Sequence, residues 1–361
     1  MESLTLPSTR EELWRWSDPQ AIMAAAATSR DVAHTHAPIS ATFLDLPGDR
    51  IVLVDGVLDQ ARSILVRVTF ANIRASDHPL AARATGPGWR LDLPKDAVAD
   101  PVQIIHIATG AENHVPAEIT LAEDAVATVI ETFTGTGWTN RLTRITLGHS
   151  ARLMRSIRLL QPDGFVSLRD EADLGQGASF VQTVLGAGDA GSRIDAAVVL
   201  SGEGAYAEYG GALLTRADQR QECAVRVRHA APNGQSHQLW RAVAADKSTA
   251  SLAAAVEVAR DAQKTDGEQS LRGLLLARTA TVNLKPELEI FADDVKCAHG
   301  ATVGELDAKA LFYMASRGIP EPRAKALLTR AFVADALDRI ADETVRDAFA
   351  ADADAWLEAA L

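Results

Sequence analysis

The chain has 361 residues, of which 47% are hydrophobic and 23% are charged, as is typical of a globular protein with a sizeable core. Its formal net charge of −12 opposes contact with phosphate backbones, so we expect no nucleic-acid partner. The densest basic stretch, residues 141–158, alternates with apolar residues. We interpret its charges as the solvent-facing side of strands.

No apolar segment reaches the length of a membrane span, and the longest candidate, residues 21–27, ends at Thr28. The first residues show no basic region followed by an apolar stretch, so we expect no signal peptide and a cytoplasmic location. Cys223 and Cys297 are too few for a disulfide framework, and too few for the four protein ligands of a conventional iron–sulfur cluster. A cluster here would need histidine, carboxylate or another chain.

The first elements in chain order are helical. Ser8 and Glu11 have the spacing of a capping box, and the alanine-rich residues 19–32 predict a second helix. Residues 50–56 predict a strand that enters a turn. We predict three units: an N-terminal helical or mixed region (1–101), a β core (102–303) and a C-terminal helical domain (304–361).

Strand-like alternation dominates residues 102–303. Cys223, Val225, Val227 and His229 fall on one face, as the two-residue period of a half-buried strand requires, and Cys223 is predicted to be a core residue. So many short strands need an architecture that closes its edges, and a sandwich, a barrel or a solenoid would do so. No strict repeat is visible, so periodicity alone does not identify a β-helix.

The C-terminal part returns to helical patterns. Asp307 is a predicted N-cap for a helix over residues 308–317, and Gly318 and Pro320 end that helix. Residues 324, 327, 328 and 331 have the spacing of an amphipathic helix, and residues 342–361 predict the last helix.

Short catalytic motifs are absent or have an ordinary explanation. Gly186 to Gly191 matches G-x-G-x-x-G, but a strand-like run follows it, which favours a turn between strands over a dinucleotide site. The sequence has no P-loop, so we expect this chain neither to bind nor to hydrolyse ATP. It also lacks G-x-S-x-G and H-E-x-x-H motifs. His34 and His36, in a predicted loop, are more typical of solvated residues than of a metal site.

Cys297 and His299 are the best candidates for chemistry. They lie two residues apart, so their side chains share a face if this segment is a strand. A thiolate beside an imidazole suits iron, copper or zinc. Spacing alone favours a simpler interpretation, namely a buried cysteine and a hydrogen-bonded histidine at a strand end. Asp293 and Asp294 point to opposite faces and make a poor acid/base pair.

The segment around this pair resembles a known family. Residues 285–304, KPELEIFADDVKCAHGATVG, are similar to the signature block of the SufB/SufD family, and the similarity continues through residues 306–319. Upstream, residues 262–276, and near the N-terminus residues 9–16, resemble further family segments. The chain is short and its N-terminal region has no cysteine motif, which favours the SufD branch over the SufB branch. Ala298 departs from the pattern, where serine is frequent.

The resemblance implies a mainly β fold, a right-handed parallel β-helix between N-terminal and C-terminal helical regions. It implies a non-catalytic scaffold in iron–sulfur cluster assembly, which pairs with SufB and docks two copies of the ATPase SufC. A homodimer stays open for the isolated chain. No stably bound cofactor is expected, only transient iron or a cluster shared with SufB. His299, with Cys297 as the weaker candidate, would lie near the SufB interface and contribute ligands.

Phe312, Tyr313 and Met314 are predicted partner-binding residues for SufC. Being adjacent on a helix, they cannot all face one core, so at least one is available as an interface anchor. Two other functions stay open. The chain could act as the principal scaffold, as SufB does, or it could be a β-solenoid carbohydrate-active enzyme. The latter needs a row of carboxylates or a calcium loop, and the sequence shows neither.

Overall fold

A computed structural model describes residues 4–27 and 42–361, and strands account for most of them. The strands are β1 (Arg50–Val54), β2 (Val57–Leu58), β3 (Thr69–Ile73), β4 (Gly86–Leu93), β5 (Val102–Leu121), β6 (Val126–Leu147), β7 (Arg152–Leu159), β8 (Phe165–Leu174), β9 (Ser179–Gly186), β10 (Gly191–Leu200), β11 (Tyr206–Thr215), β12 (Arg220–His229), β13 (Gln235–Ala244), β14 (Thr249–Val258), β15 (Asp266–Leu275), β16 (Thr281–Ile290) and β17 (Lys296–Glu305). The α-helices are α1 (Pro19–Ala27), α2 (Ala308–Ser316), α3 (Glu321–Leu337) and α4 (Glu343–Ala360). Short 3₁₀ segments lie at Glu12–Trp14, Gln60–Arg62 and Ala81–Arg83.

The strands form a parallel β-solenoid, which confirms the predicted mainly β fold. Each turn contributes one strand to each of two facing sheets. Sheet A contains β7, β9, β11, β13, β15 and β17, each paired in parallel with the next. Sheet B contains β8, β10, β12, β14 and β16. The long strands β5 and β6 continue from one sheet into the other, and β1 and β4 pair with β5 at the N-terminal end.

The main core lies between the two sheets. Alternate residues of each strand point inward and stack on the equivalent residues of the next turn, so Ile194, Cys223 and Leu252 form one continuous apolar column. Cys223 is 2% exposed, which confirms its predicted place in the core. Each turn therefore buries its apolar side chains against the next turn, and a single turn could not bury them alone.

The turns repeat, although their sequences do not. A residue with positive φ recurs at one corner of successive turns, at Asp124, Ser150, Gly177, Gly204 and Asn233, roughly 26 to 29 residues apart. The amide of each residue donates to a carbonyl of the next turn, as Ser150 does to Gln176. The left-handed conformation is the shared requirement, and Asp, Ser, Gly and Asn all adopt it at modest cost.

Helices cover the outer face of sheet A. Val333, Leu337, Phe349 and Trp356 of α3 and α4 are buried against outward-facing residues of that sheet, including Leu214. Two ion pairs reinforce this contact, Arg158 with Asp352 at 2.6 Å and Arg241 with Asp335. No helix in the described ranges is both long and apolar enough to cross a bilayer.

The N-terminal residues lie on the outer face of sheet B. The Trp14 ring stacks under the Arg193 guanidinium, whose carbon is 3.9 Å from the ring centroid. Arg193 pairs with Asp195 on the same strand, and Glu12 forms an ion pair of 2.6 Å with Lys285 of β16. This segment therefore connects a middle turn of the solenoid to its last turn.

Several local predictions agree with the structure. Asp307 caps α2 by accepting from the Lys309 amide, and Asp342 caps α4 by accepting from the Val345 amide. The strand predicted over residues 50–56 is β1 with its turn, and Gly186 and Gly191 flank a turn between β9 and β10, as predicted.

Others differ in detail. Glu11 accepts from the Ser8 amide as a capping box would, but the helix that follows is one 3₁₀ turn that begins at Glu12. Helix α1 ends at Ala27, and the rest of the predicted stretch lies outside the described residues. In α3, Ala324 is buried as predicted, residues 327 and 328 are half-buried and Ala331 is exposed, and the face buried against sheet A lies further along the helix, at Val333 and Leu337.

Candidate functional site

The last turn of the solenoid, which we call the distal end, consists of β16 and β17. β17 pairs with β15, and β16 pairs with β14; within the described ranges, no register pairs the other edge of either strand. All residues of β17 except Cys297 are exposed. Ile290, Phe291 and Val303 are large apolar residues here with exposures of 40%, 55% and 45%. An exposed strand edge with apolar side chains is a template for pairing with another chain.

Cys297 and His299 lie on β17, on the face that continues the solenoid interior. Cys297 is in register with Gly267 of β15, and His299 is in register with Gln269. The equivalent β15 residues are buried between the sheets, so the two side chains belong to the inward-facing columns. The structure thus places both candidates on one face, at the open end of the core.

The two side chains differ in exposure. Cys297 is half-buried and packs against the cluster that contains Val256, Val258 and Leu288. Burial raises the pKa of its thiol above the ordinary value. A Cβ added at Gly267 would lie 3.5 Å from Cys297 Sγ, an ordinary van der Waals contact, so the sulfur packs directly beside this position. His299 is exposed and available to a ligand from outside the chain.

A column of polar side chains leads inward from His299. Gln269 lies opposite His299 and is 1% exposed, and Gln238 lies opposite Gln269 and is also 1% exposed. Gln269 Nε2 donates to the Glu287 carbonyl at 3.3 Å, and Gln238 Nε2 donates to the Ala255 carbonyl at 3.0 Å. The Oε1 atoms of both glutamines are buried and accept no hydrogen bond from any described residue.

Further inside, the solenoid contains a cluster of buried charged side chains, whose arginines were predicted to face solvent. Arg155 donates to Glu131 and Asp170, and Arg141 donates to His106 and Asn113. The two arginines were expected on the solvent-facing side, but they are 1% and 2% exposed. Arg155 occupies an inward position because carboxylates from two other strands neutralise it there, and Arg141 is buried with hydrogen bonds to His106 and Asn113. Arg144, Arg152 and Arg158 of the basic stretch point away from the interior, and Arg158 is buried there against Asp352 of α4.

Ionisation in this cluster follows from its pairing. Burial alone would raise the pKa of Glu131, but Arg155 and His106 hold it at about 2. Burial, together with Arg141, lowers the pKa of His106 to about 4. At neutral pH, Glu131 in this cluster is therefore ionised and His106 is neutral.

The predicted partner-binding residues lie on α2. No residue of this nine-residue helix is buried by the described parts of the chain. Phe312 is 76% exposed and Tyr313 is 59% exposed, whereas Met314 is half-buried. Exposed aromatic residues on a free helix are typical of an interface anchor.

The other predicted features are not part of the distal end. His34 and His36 lie outside the described residues. Glu123, Asp124 and His149 lie within reach of one metal ion at a solvent-facing turn, but Glu123 is paired with Lys95 at 2.9 Å. A cavity of about 390 Å³ lies between the N-terminal segment and sheet B, and the charges of Arg193 and Asp195 in its wall neutralise each other. Gln238 and Gln269 were not predicted, since a buried glutamine leaves no motif in one sequence.

Comparison with known proteins agrees with this architecture. The family model for the SUF system FeS cluster assembly SufBD core domain matches residues 106–332. The iron–sulfur cluster assembly protein SufD of Escherichia coli is 30% identical over 259 residues, which cover 69% of this chain and 61% of that protein. SufD of Bacillus subtilis is 26% identical over 318 residues, 82% of this chain and 72% of that protein. A SufBD family protein of Synechocystis is 41% identical over 109 residues, 30% of this chain and 24% of that protein.

The chain thus spans about three fifths of the length of the E. coli relative. The family model covers more than half of the chain, from within β5 to within α3. Both relatives with long alignments are named SufD. The chain therefore belongs to the SufB/SufD family of iron–sulfur cluster assembly proteins, and it resembles the SufD members of that family.

Proposed function

We propose that this chain is a non-catalytic scaffold subunit that pairs with a SufB partner through its distal end and docks the ATPase SufC through α2. The observation that carries the proposal is the free edge of β17 beside His299 and Cys297. A partner strand laid along this edge would place its own side chains next to these two. The family to which the chain belongs makes an iron–sulfur cluster the cargo of such a site.

The donor set fits a shared site. One imidazole and one thiol lie two residues apart on one face, and a cluster usually takes four protein ligands. Two donors are too few for stable binding by this chain alone, but they would complete a site when SufB adds the rest. A scaffold must also release its product, so incomplete coordination by each subunit is an advantage. His299 is the stronger candidate, because it is exposed where Cys297 is half-buried.

Docking of SufC is assigned to the exposed side of α2. Phe312 and Tyr313 present two aromatic rings to solvent, while α3 and α4 are occupied by their contact with sheet A. A movement of SufC on binding ATP would therefore act on α2 and, through the distal end, on the shared site. Nucleotide chemistry is assigned to SufC, since this chain has no P-loop.

Reconstitution of the complex tests the proposal. The full chain is purified alone and together with SufB and SufC, and iron, sulfide and visible absorption are measured after cluster assembly. We expect the isolated chain to be colourless, and we expect the His299→Ala complex to assemble normally but to form clusters more slowly. Cys297→Ser should have a smaller effect. A normal rate and yield with His299→Ala would refute the ligand role. A stable cluster on the isolated chain would instead favour a principal-scaffold role like that of SufB.

A further inference from the structure

We propose that Gln269 is a positioning residue for His299. The two side chains make no hydrogen bond in the structure, but a rotation of the exposed His299 ring would bring one ring N–H to Gln269 Oε1, and the other ring nitrogen would then face the distal end. The inference rests on the proposed function, because it assigns a role to Gln269 at the site where His299 is the ligand. It concerns this chain's own residues and predicts a property of the chain before any cluster is present.

Register brings the two residues together. His299 of β17 is directly opposite Gln269 of β15 in a parallel pairing that is regular from Asp266 to Leu275. Neighbouring strands lie about 4.8 Å apart, and both side chains leave the sheet on the inward face. An imidazole and a glutamine at such positions are within reach of each other. Among the described residues no strand pairs with the other edge of β17, so Gln269 is the neighbour of His299 within the sheet.

The hydrogen bond made by Nε2 fixes the orientation of the Gln269 side-chain amide. Nε2 donates to the Glu287 carbonyl of β16, across the interior, at 3.3 Å. A carbonyl oxygen can only accept, so the group that faces it must be the NH₂. Oε1 must then point elsewhere. It is buried, and no described residue donates to it.

An unpartnered buried carbonyl at this place needs a donor. Leaving a buried acceptor unsatisfied is unfavourable, so a neighbouring N–H is favoured over an empty position. Gln238 and Gln269 both have such an oxygen, and Gln269 has a histidine directly opposite it on the next strand of the sheet. Histidines that bind metals generally donate their second N–H to a carbonyl or carboxylate, which fixes the tautomer and the ring orientation. Gln269 is placed to do this for His299.

Gln238 provides a matched control. It has the same chemistry, the same 1% exposure and the same type of amide contact across the interior, with the Ala255 carbonyl in place of that of Glu287. It lies on β13, one turn of the solenoid further from the distal end, and its neighbour on β15 is Gln269, not His299. Gln238→Leu and Gln269→Leu therefore make the same change in the same column, and only the second removes the proposed contact.

The test is the tautomer of His299 in the isolated full chain, read from ring ¹⁵N chemical shifts at about pH 8.5, where histidine is neutral. Signals of His299 are identified by their loss in His299→Ala. We expect one dominant tautomer in the unmodified chain and in Gln238→Leu, and a mixture in Gln269→Leu. Gln269→Asn, which keeps an uncharged amide with both donor and acceptor, should retain one dominant tautomer. Thermal unfolding identifies a variant that fails to fold, and Gln269→Asn then serves with Gln269→Ser as the informative pair.

The contrary outcomes are distinct. If Gln269→Leu leaves the His299 ring signals unchanged, or if Gln238→Leu alters them equally, the positioning role is wrong. Reconstituted complexes give the second readout: we expect Gln269→Leu to slow cluster formation roughly tenfold or more, in the range seen when a partner of a metal-binding histidine is lost. A normal rate of cluster formation with His299→Ala would refute the proposed function. The effect of Gln269 on the His299 tautomer would still be decided separately, by the ring ¹⁵N shifts.

Discussion

Arg155 and Asp170 form an ion pair inside the solenoid, with Nη1 and Oδ1 2.7 Å apart and both side chains at most 1% exposed. Arg155 also binds Glu131 at 2.6 Å, so one guanidinium serves two carboxylates from two different strands. The pairing links successive turns through their interior, where apolar packing alone would not fix the register of polar residues.

Removal of Arg155 should be strongly destabilising. Arg155→Leu leaves Glu131 and Asp170 buried without their cation, and breaking such a pair from one side costs about 3–5 kcal/mol. Arg152→Leu, an exposed arginine on the same strand, is the matched control and should change the free energy of unfolding by less than about 0.5 kcal/mol. Urea unfolding followed by circular dichroism measures both. Equal effects of the two substitutions would contradict the buried pairing.

Acid should destabilise the fold below neutral pH. Burial lowers the pKa of His229 to about 4, and it does the same for His106. In the unfolded chain histidine titrates near pH 6.5, so the unfolded state binds protons first. The stability that these neutral imidazoles contribute is present above about pH 6.5 and is lost as pH falls towards 4. Replacing His229 by Gln should flatten the dependence of unfolding free energy on pH in this window, whereas His149→Gln, which changes a half-exposed ring, should not.

The strand pattern of the solenoid was predictable, but its repeat was not. Alternation at Cys223, Val225 and Val227 correctly predicts inward-facing residues, because the two-residue period survives in any half-buried strand. The repeated feature is instead a backbone conformation at the turns, and Asp124, Ser150 and Asn233 satisfy it with different side chains. A comparison of residue types cannot detect a repeat that is conserved only in φ.

The burial of polar residues in the interior likewise could not be predicted from local sequence patterns. Arg141 and Arg155 have the spacing expected of exposed positions. Partners at least 15 residues away make their burial favourable, namely the carboxylates of Glu131 and Asp170 for Arg155 and the side chains of His106 and Asn113 for Arg141. Likewise, the shared face of Cys297 and His299 follows from their spacing, whereas the neighbour of His299 depends on the register of β17 with β15. That register is set by contacts over 30 residues, which local patterns do not contain.

Substitutions on α2 should weaken SufC binding without loss of fold. The double change Phe312→Ser and Tyr313→Ser removes two exposed rings that make no buried contact, so thermal stability should not change. Co-purification with SufC should fall at least tenfold, as expected for the loss of aromatic anchors. Val98→Ser, at a site that is 71% exposed, is the control. Truncation after residue 305 is unsuitable, since it would also remove α3 and α4 and expose the outer face of sheet A.

A charge at the distal end should prevent pairing with SufB. Val303 lies on the inward face of β17 and is 45% exposed, so in a joined solenoid it would become part of a continuous core. Val303→Arg would place an unpaired cation in that core, at a cost of about 2–5 kcal/mol, which corresponds to at least tenfold weaker binding. The isolated chain should keep its melting temperature, because the site is open to solvent there. Val66→Arg, 64% exposed and in the N-terminal region, provides the control. Analytical ultracentrifugation with SufB measures the effect. If Val303→Arg binds SufB as tightly as Val66→Arg does, the partner lies elsewhere, and His299 would then have no second subunit to complete its site.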